Sequence, residues 1–324
     1  MKSCFRLTVL VLLTLMLVIM TACGNQSKQN QTDQDNGGDQ QEQHKEADQA
    51  FPVTMKDQTG KQVTLKQAPE RIVSLLPSNT EIAFALGLDD QMVGVTNNDT
   101  YPKAVKDLPK VGGLKINVEK VVSLNPDLVL AQQINKPKAI KKLRQSGIKV
   151  FVVKNPTTLN GIYDSITTIG KLTGMSDQSQ HVIEDMKTTI SDVKQKVKKA
   201  DVKKKKIWTE ISASPNIYTA GQGTFMNQLI QIIGGNNVAS DLQGYPKVTE
   251  EAAVKYNPDI IILTYGDQKA VQSVLNREAW QNVGAVKNER VYTINTNLVS
   301  RPGPRISKGV VELAKRVYPD AFGQ

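Results

Sequence analysis

One short pattern occurs twice along this chain and restricts its architecture more than any other feature. Glu119 stands six residues before Asn125-Pro126-Asp127, which runs into Leu128-Val129-Leu130; Glu251 stands six residues before Asn257-Pro258-Asp259, which runs into Ile260-Ile261-Ile262. Each copy reads as a short helix stopped at an Asn-Pro turn and followed by a buried strand, with Asn117 or Thr249 as the helix N-cap. The chain makes one kind of unit twice. By spacing alone the two acids need no partner, because a first-turn carboxylate gains about 0.3–1 kcal/mol from the helix dipole. Their recurrence leaves a paired role open.

Apolar runs of strand length surround both copies. In the first half residues 71–76, 92–95, 128–131 and 149–153 alternate with helical stretches at 81–86 and 137–146. In the second, residues 207–211, 217–220, 260–264 and 291–295 alternate with 225–233, 268–276 and 307–317. Such alternation predicts parallel strands covered by helices. The expected fold is α/β: two Rossmann-like lobes with mainly parallel sheets, residues 51–174 and 201–324. Between them residues 176–199 contain no Gly or Pro and set Ile183, Met186, Ile190 and Val193 at helical spacing. A continuous helix there is roughly 36 Å long, a stiff bridge assigned to residues 175–200.

The front of the chain predicts a location. Lys2 and Arg6 precede an apolar run from Leu7 to Met20, and Thr21-Ala22-Cys23-Gly24 follows. This is the pattern of an export signal over residues 1–22. As a helix the run reaches roughly 21 Å, short of the ~30 Å hydrocarbon core, which disfavours a permanent span. The small residues before Cys23 resemble the bacterial lipobox, which implies acylation of Cys23 and a lipid-anchored protein on the extracytoplasmic face of the cell membrane. Residues 23–50 are rich in Gln, Asn, Asp and Gly and too polar to offset the entropy of ordering. They read as a flexible tether reaching roughly 25–30 Å.

Several functions are excluded by what the body lacks. Beyond residue 50 there is no cysteine and one histidine, His181, so disulfide scaffolds, cysteine nucleophiles and multi-histidine metal sites are ruled out. No cofactor is expected. No Walker loop or nucleophile elbow occurs, and Gly221-Gln222-Gly223 reads as a turn. The chain is not expected to be an enzyme. Its formal charge is +10, yet aromatics are only 5%, a poor basis for stacking on nucleic acid. The lysine cluster from Lys194 to Lys206 is read as a solvated face complementing a helix C-terminus, with a polyanion contact as the other reading.

What remains is polar and aromatic chemistry at the ends of predicted strands, where open α/β sheets bind ligands. Pro77-Ser78-Asn79-Thr80-Glu81 follows the first strand and predicts a capping box between Ser78 and Glu81. Asn97, Asn98 and Tyr101 follow the second strand, and Gln132 and Gln133 the third. In the second lobe Tyr218, Tyr245, Tyr265 and Asn297 hold comparable places, and Arg301 and Arg305 flank Pro302-Gly303-Pro304.

The run from Arg71 to Gly87 (RIVSLLPSNTEIAFALG), Val93-Gly-Val-Thr96, Asn117 to Asp127, Ile233-Gly-Gly235, Tyr245 to Asp259 and Pro304-Arg-Ile306 together resemble the substrate-binding proteins of ABC importers for cobalamin, siderophores and haem. The likeness covers nearly all of residues 54–320 and is strongest to the vitamin B12-binding members. It implies two lobes bridged by one long helix, a small molecule held between them, and little hinge closure. It also implies that Glu119 and Glu251 dock on the two subunits of a permease dimer that works with ATPase subunits, and a monomer is expected. Ligand contacts are implied at Pro77, Ser78, Asn79, Asn98, Gly113 and Gln132 of the first lobe and at Tyr218, Tyr245, Asn297 and Arg301 of the second. Tyr218 and Tyr245 match aromatic positions of the B12-binding pattern; Asn98, Gly113 and Gln132 replace aromatics, and Asn297 replaces an acid. The implied ligand is a corrinoid, with an Fe(III) siderophore or haem as the alternative. An extracytoplasmic enzyme and a polyanion-binding surface protein are the rivals of other classes.

Overall fold

Runs of Ile, Val and Leu build two four-stranded parallel sheets in the computed structural model, which describes residues 51–213 and 215–323. The expected export signal, Cys23 and the whole tether lie outside the described residues. The described chain opens with a hairpin, β1 (Val53–Lys56) and β2 (Gln62–Leu65). The first sheet follows, from β3 (Ile72–Ser74), β4 (Met92–Gly94), β5 (Leu128–Gln132) and β6 (Val150–Val153), in the order β4-β3-β5-β6 with every pairing parallel. Its helices are α1 (Pro77–Ala85), α2 (Val118–Ser123), α3 (Pro137–Gln145) and α4 (Leu159–Thr173).

The bridge is α5 (Ser176–Lys199). Beyond it the second lobe runs β7 (Lys206–Glu210), β8 (Ile217–Tyr218), α6 (Phe225–Ile232), β9 (Asn236–Asn237), β10 (Lys247–Val248), α7 (Glu250–Lys255), β11 (Ile260–Leu263), α8 (Gln268–Leu275), α9 (Gly284–Lys287), β12 (Val291–Thr293), α10 (Thr296–Ser300) and α11 (Ile306–Val317). Its sheet has the order β12-β11-β7-β9, again parallel, while β8 and β10 pair antiparallel outside it.

Strand alternation sorts the core into layers. On β5, Leu128 and Leu130 face one way, Val129 and Ala131 the other. The inner faces of the two sheets share a single cluster: Ile72, Leu128 and Leu130 from the first, Ile207, Ile260 and Ile262 from the second. Ile183, Met186, Ile190 and Val193 of α5 lie in the same cluster, with Ile166 of α4 and Leu313 of α11. The outer faces have cores of their own, built on Val73 and Val129 in one lobe and on Trp208 and Ile261 in the other. The lobes are thus two in topology and continuous in packing.

The two copies of the repeated pattern are the same local structure. Asn125 and Asn257 sit at φ 50° and 41°, left-handed turns that stop α2 and α7. Asp127 then accepts from the Arg71 amide (2.9 Å) and Asp259 from the Lys206 amide (2.8 Å), tying each turn to the strand beside it. Outside the first sheet, Asp57 in the β1–β2 turn accepts from the amides of Thr59 (2.8 Å), Lys61 (3.0 Å) and Val152 (3.2 Å) and pairs with Arg144. Gln58 N donates to Val152 O (3.0 Å), so this turn lies along the free edge of β6.

Three features differ from expectation. Residues 217–220 do not supply a strand of the parallel sheet; β9 takes that place, because Asn237 is buried and satisfied by donating to Ala220 O (2.8 Å) and Asn227 Oδ1 (2.9 Å). Helix α4 was not predicted, since Gly161 and Gly170 lower its propensity. A Cβ on Gly170 would lie 2.8 Å from Met175 O and 2.6 Å from Ser179 Cβ, so the glycine is what lets α4 turn tightly into α5. The capping box is not formed: α1 begins at Pro77 with Leu76 as an N-cap that makes no side-chain bond, and Glu81 is engaged elsewhere.

Candidate ligand site between the lobes

The C-terminal ends of β3 and β5 meet the start of α1, and three expected contact residues converge there. Gln132 Nε2 donates to Ser78 Oγ and to Asn79 Oδ1, both at 3.2 Å, and Asn79 Nδ2 donates to Ala131 O at 3.3 Å. Ser78, Asn79 and Gln132 are all buried, with Gln132 wholly so. They form a polar floor that locks α1 onto the sheet. Pro77, at the first turn, is half-buried at its edge.

Above this floor the loop after β4 carries Asn98, which is exposed. A Cβ built on Gly113 would lie 3.7 Å from Asn98 Nδ2, so the two are neighbours. Beside them Leu114 is 77% exposed, and Ile134, two residues past the end of β5, is 63% exposed. Neither was singled out from sequence. The available signal was a lone large aliphatic in a polar post-strand loop, Gly-Gly-Leu in one case and Gln-Gln-Ile in the other.

In the second lobe Tyr218 pairs with Lys247, and the bonds Thr219 N to Pro246 O (3.2 Å) and Gly221 N to Gly244 O (2.8 Å) carry this register onward. Tyr245 therefore lies across from Ala220, on the same face of the ribbon as Tyr218. Both rings are exposed, Tyr245 by 56%. Asn297 is half-buried in the first turn of α10. Tyr265 is not available in the same way: its hydroxyl donates to Glu210 Oε1, and Arg277 grips Glu210 with two bonds of 2.7 Å. Burial first and then the Glu210 carboxylate push the Tyr265 hydroxyl well above the ordinary tyrosine range.

Arg301 and Arg305 cross from the second lobe to Glu81 on α1. Arg305 Nε donates to Glu81 Oε2 (2.8 Å), and its Nη2 and Arg301 Nη1 donate to Glu81 Oε1 (2.5 and 3.2 Å). Glu81 is thereby bound from outside its own helix, which is why it does not reach back to Ser78. Glu119 and Glu251 stand exposed in the first turns of α2 and α7. Their caps are made as expected: Asn117 Oδ1 accepts from Lys120 N (3.0 Å) and Thr249 Oγ1 from Ala252 N (3.3 Å). Among the described residues no group of three or more His, Cys, Asp or Glu is placed to hold a metal ion, and no helix is long and apolar enough to cross a membrane.

Residues 72–298 match the family model described as periplasmic binding protein. The chain belongs to the periplasmic binding protein family. Within it, the chain is 42% identical over 314 residues to an uncharacterized ABC transporter substrate-binding lipoprotein, YvrC, of Bacillus subtilis, covering 96% of each chain. It is 32% identical over 288 residues to a protein named as cobalamin-binding in Halobacterium salinarum, covering 85% of this chain and 77% of that one. A crystal structure of a possible iron-binding, periplasmic solute-binding protein from Staphylococcus epidermidis superposes with a TM-score of 0.72 at 34% identity, over 78% of this chain and all of that one. This periplasmic binding protein is the substrate-binding component of an ABC importer; proteins of this kind bind small molecules and work with a permease rather than turning substrates over. The two sheets bridged by α5 are the family's two-lobed architecture.

Proposed function

We propose that this binding protein captures a corrinoid in the gap between its lobes. Pro77, Ser78, Asn79 and Gln132 shape the floor, Asn98 and Gly113 one wall, and Tyr218, Tyr245 and Asn297 the other. The observation that carries the reading is the state of the arginines. Both guanidiniums near residue 301 bond to Glu81, so neither is free to hold an anionic chelate, and the residues named for the walls are amides and phenol rings, with exposed Lys247 across from Tyr218. Such a rim suits a large macrocycle fringed by neutral amides. The similarity to a cobalamin-binding relative supports the same choice. An Fe(III) siderophore is the second reading, favoured by the similarity to the possible iron-binding protein of Staphylococcus epidermidis.

Calorimetric titration of the full chain with cyanocobalamin and, in parallel, with a ferric hydroxamate decides between them. Heat with cyanocobalamin alone is expected; saturable binding of only the ferric hydroxamate overturns the corrinoid reading. The protein is further proposed to be held at the extracytoplasmic face of the membrane by acylated Cys23, with residues 23–50 as tether, and to dock on the permease as a monomer. Cys23→Ala is expected to move the protein from the detergent phase to the aqueous phase on phase separation, and unchanged partitioning contradicts the anchor.

A further inference from the structure

Arg301 belongs to the second lobe, yet every hydrogen bond made by its side chain ends on the first. Besides Glu81 it donates from Nη1 to Thr100 Oγ1 (3.1 Å) and from Nη2 to Asn98 O (3.0 Å). Arg305, four residues on, lays its guanidinium 4.0 Å from the centre of the Tyr101 ring while it holds Glu81. Segment 301–305 thus touches Asn98, Thr100 and Tyr101 in one short stretch of loop. The segment is itself stiff, with Pro302 and Pro304 around a buried Gly303. From below, the same loop is fixed by Asp99, buried, whose Oδ2 accepts from Thr96 N at 2.9 Å.

We propose that Arg301 is a positioning residue of the ligand site: acting from the second lobe on the backbone of Asn98, it aims the Asn98 side chain beside Gly113 and sets the width of the gap. This rests on the reading above that the ligand lies between the lobes. The chemistry requires arginine. A planar fork reaches three acceptors at once, whereas a lysine ammonium keeps the charge opposite Glu81 and cannot span Asn98 O and Thr100 Oγ1 together. The ion pair and the loop clamp are therefore separable. Arg305 suffices for the first, and Arg301 supplies the second.

The test is hydrogen exchange on the full chain carrying Arg301→Lys, a variant that keeps the buried charge paired and so avoids the folding risk of Arg301→Ala. Amides from Asn97 to Tyr101 are expected to exchange about tenfold faster, while those of Val129 to Gln132 in β5 and the thermal midpoint stay as in the parent. A merely structural role would shift β5 and the midpoint together with the loop. Loop exchange equal to the parent's overturns the proposal. A second arm combines Arg301→Lys with Asn98→Ala and measures cyanocobalamin dissociation. If Arg301 works through Asn98, the second substitution adds little to the first, and fully additive effects overturn the proposal. Should the parent not bind cyanocobalamin, the ligand reading falls, and the exchange experiment still decides whether Arg301 fixes the loop.

Discussion

Among the described residues the buried carboxylates of Asp57, Glu81 and Glu210 are each met by an arginine distant in sequence. Glu210 closes β7 with its side chain fully buried, and Arg277 and Tyr265 supply three bonds to it. Because the Tyr265 hydroxyl is pushed above the ordinary value of about 10, the stability it confers is fully present below about pH 10 and is lost as pH rises through its raised folded value. The denaturation midpoint of the parent is expected to fall more steeply between about pH 10 and 12 than that of Tyr265→Phe, read by urea titration at each pH. Equal slopes contradict the coupling. Long-range partnerships of this kind also mark the limit of sequence reading. Arg301 and Glu81 were each recognised as polar residues at strand ends, but nothing local to either specifies that they meet. The capping box at Ser78 failed for the same reason: a local rule was outcompeted by two guanidiniums arriving from the other lobe.

Helices and strands were legible wherever the pattern was local and apolar. The aliphatic runs of β5, β6 and β11 and the unbroken spacing of α5 needed no tertiary information, and the repeated Asn-Pro-Asp turn gave the architecture twice. Elements that depend on a neighbour were not legible. Asn236-Asn237 has no strand propensity and pairs only because Asn237 finds two buried acceptors. In α4 the glycines count against a helix until α5 is placed against it. Gly170→Ala tests this directly. Alanine improves intrinsic helicity by up to about 1 kcal/mol, but its methyl meets Met175 O, a backbone atom that cannot swing away. A net loss of about 1–3 kcal/mol is expected in chemical denaturation, and an unchanged or higher midpoint contradicts the close approach.

Because one cluster of side chains runs from the inner face of the first sheet through α5 to the inner face of the second, bending the lobes apart would open apolar packing rather than flex a linker. That favours a binding protein whose gap is nearly preformed and whose signal to a permease is its outer surface. Glu119 and Glu251, exposed and held in matching first turns, are proposed as the pseudo-symmetric pair that such a surface would set against a two-fold partner. Joint replacement by lysine, Glu119→Lys with Glu251→Lys, is expected to abolish uptake into cells while leaving ligand affinity within about twofold, since neither residue is among those proposed to contact the ligand. Intact uptake contradicts the docking role.

The hairpin at the front of the described chain has a bearing on handling the protein outside the cell. Its turn occupies the side of Val150-Phe151-Val152-Val153 that no other strand covers among the described residues, through Asp57 and Gln58. A version trimmed to begin after Leu65 would uncover a flat aliphatic and aromatic border with idle amide and carbonyl groups, a template for edge-to-edge self-association. Shortened forms made for crystallisation or ligand screening will stay monodisperse only if they retain those first strands.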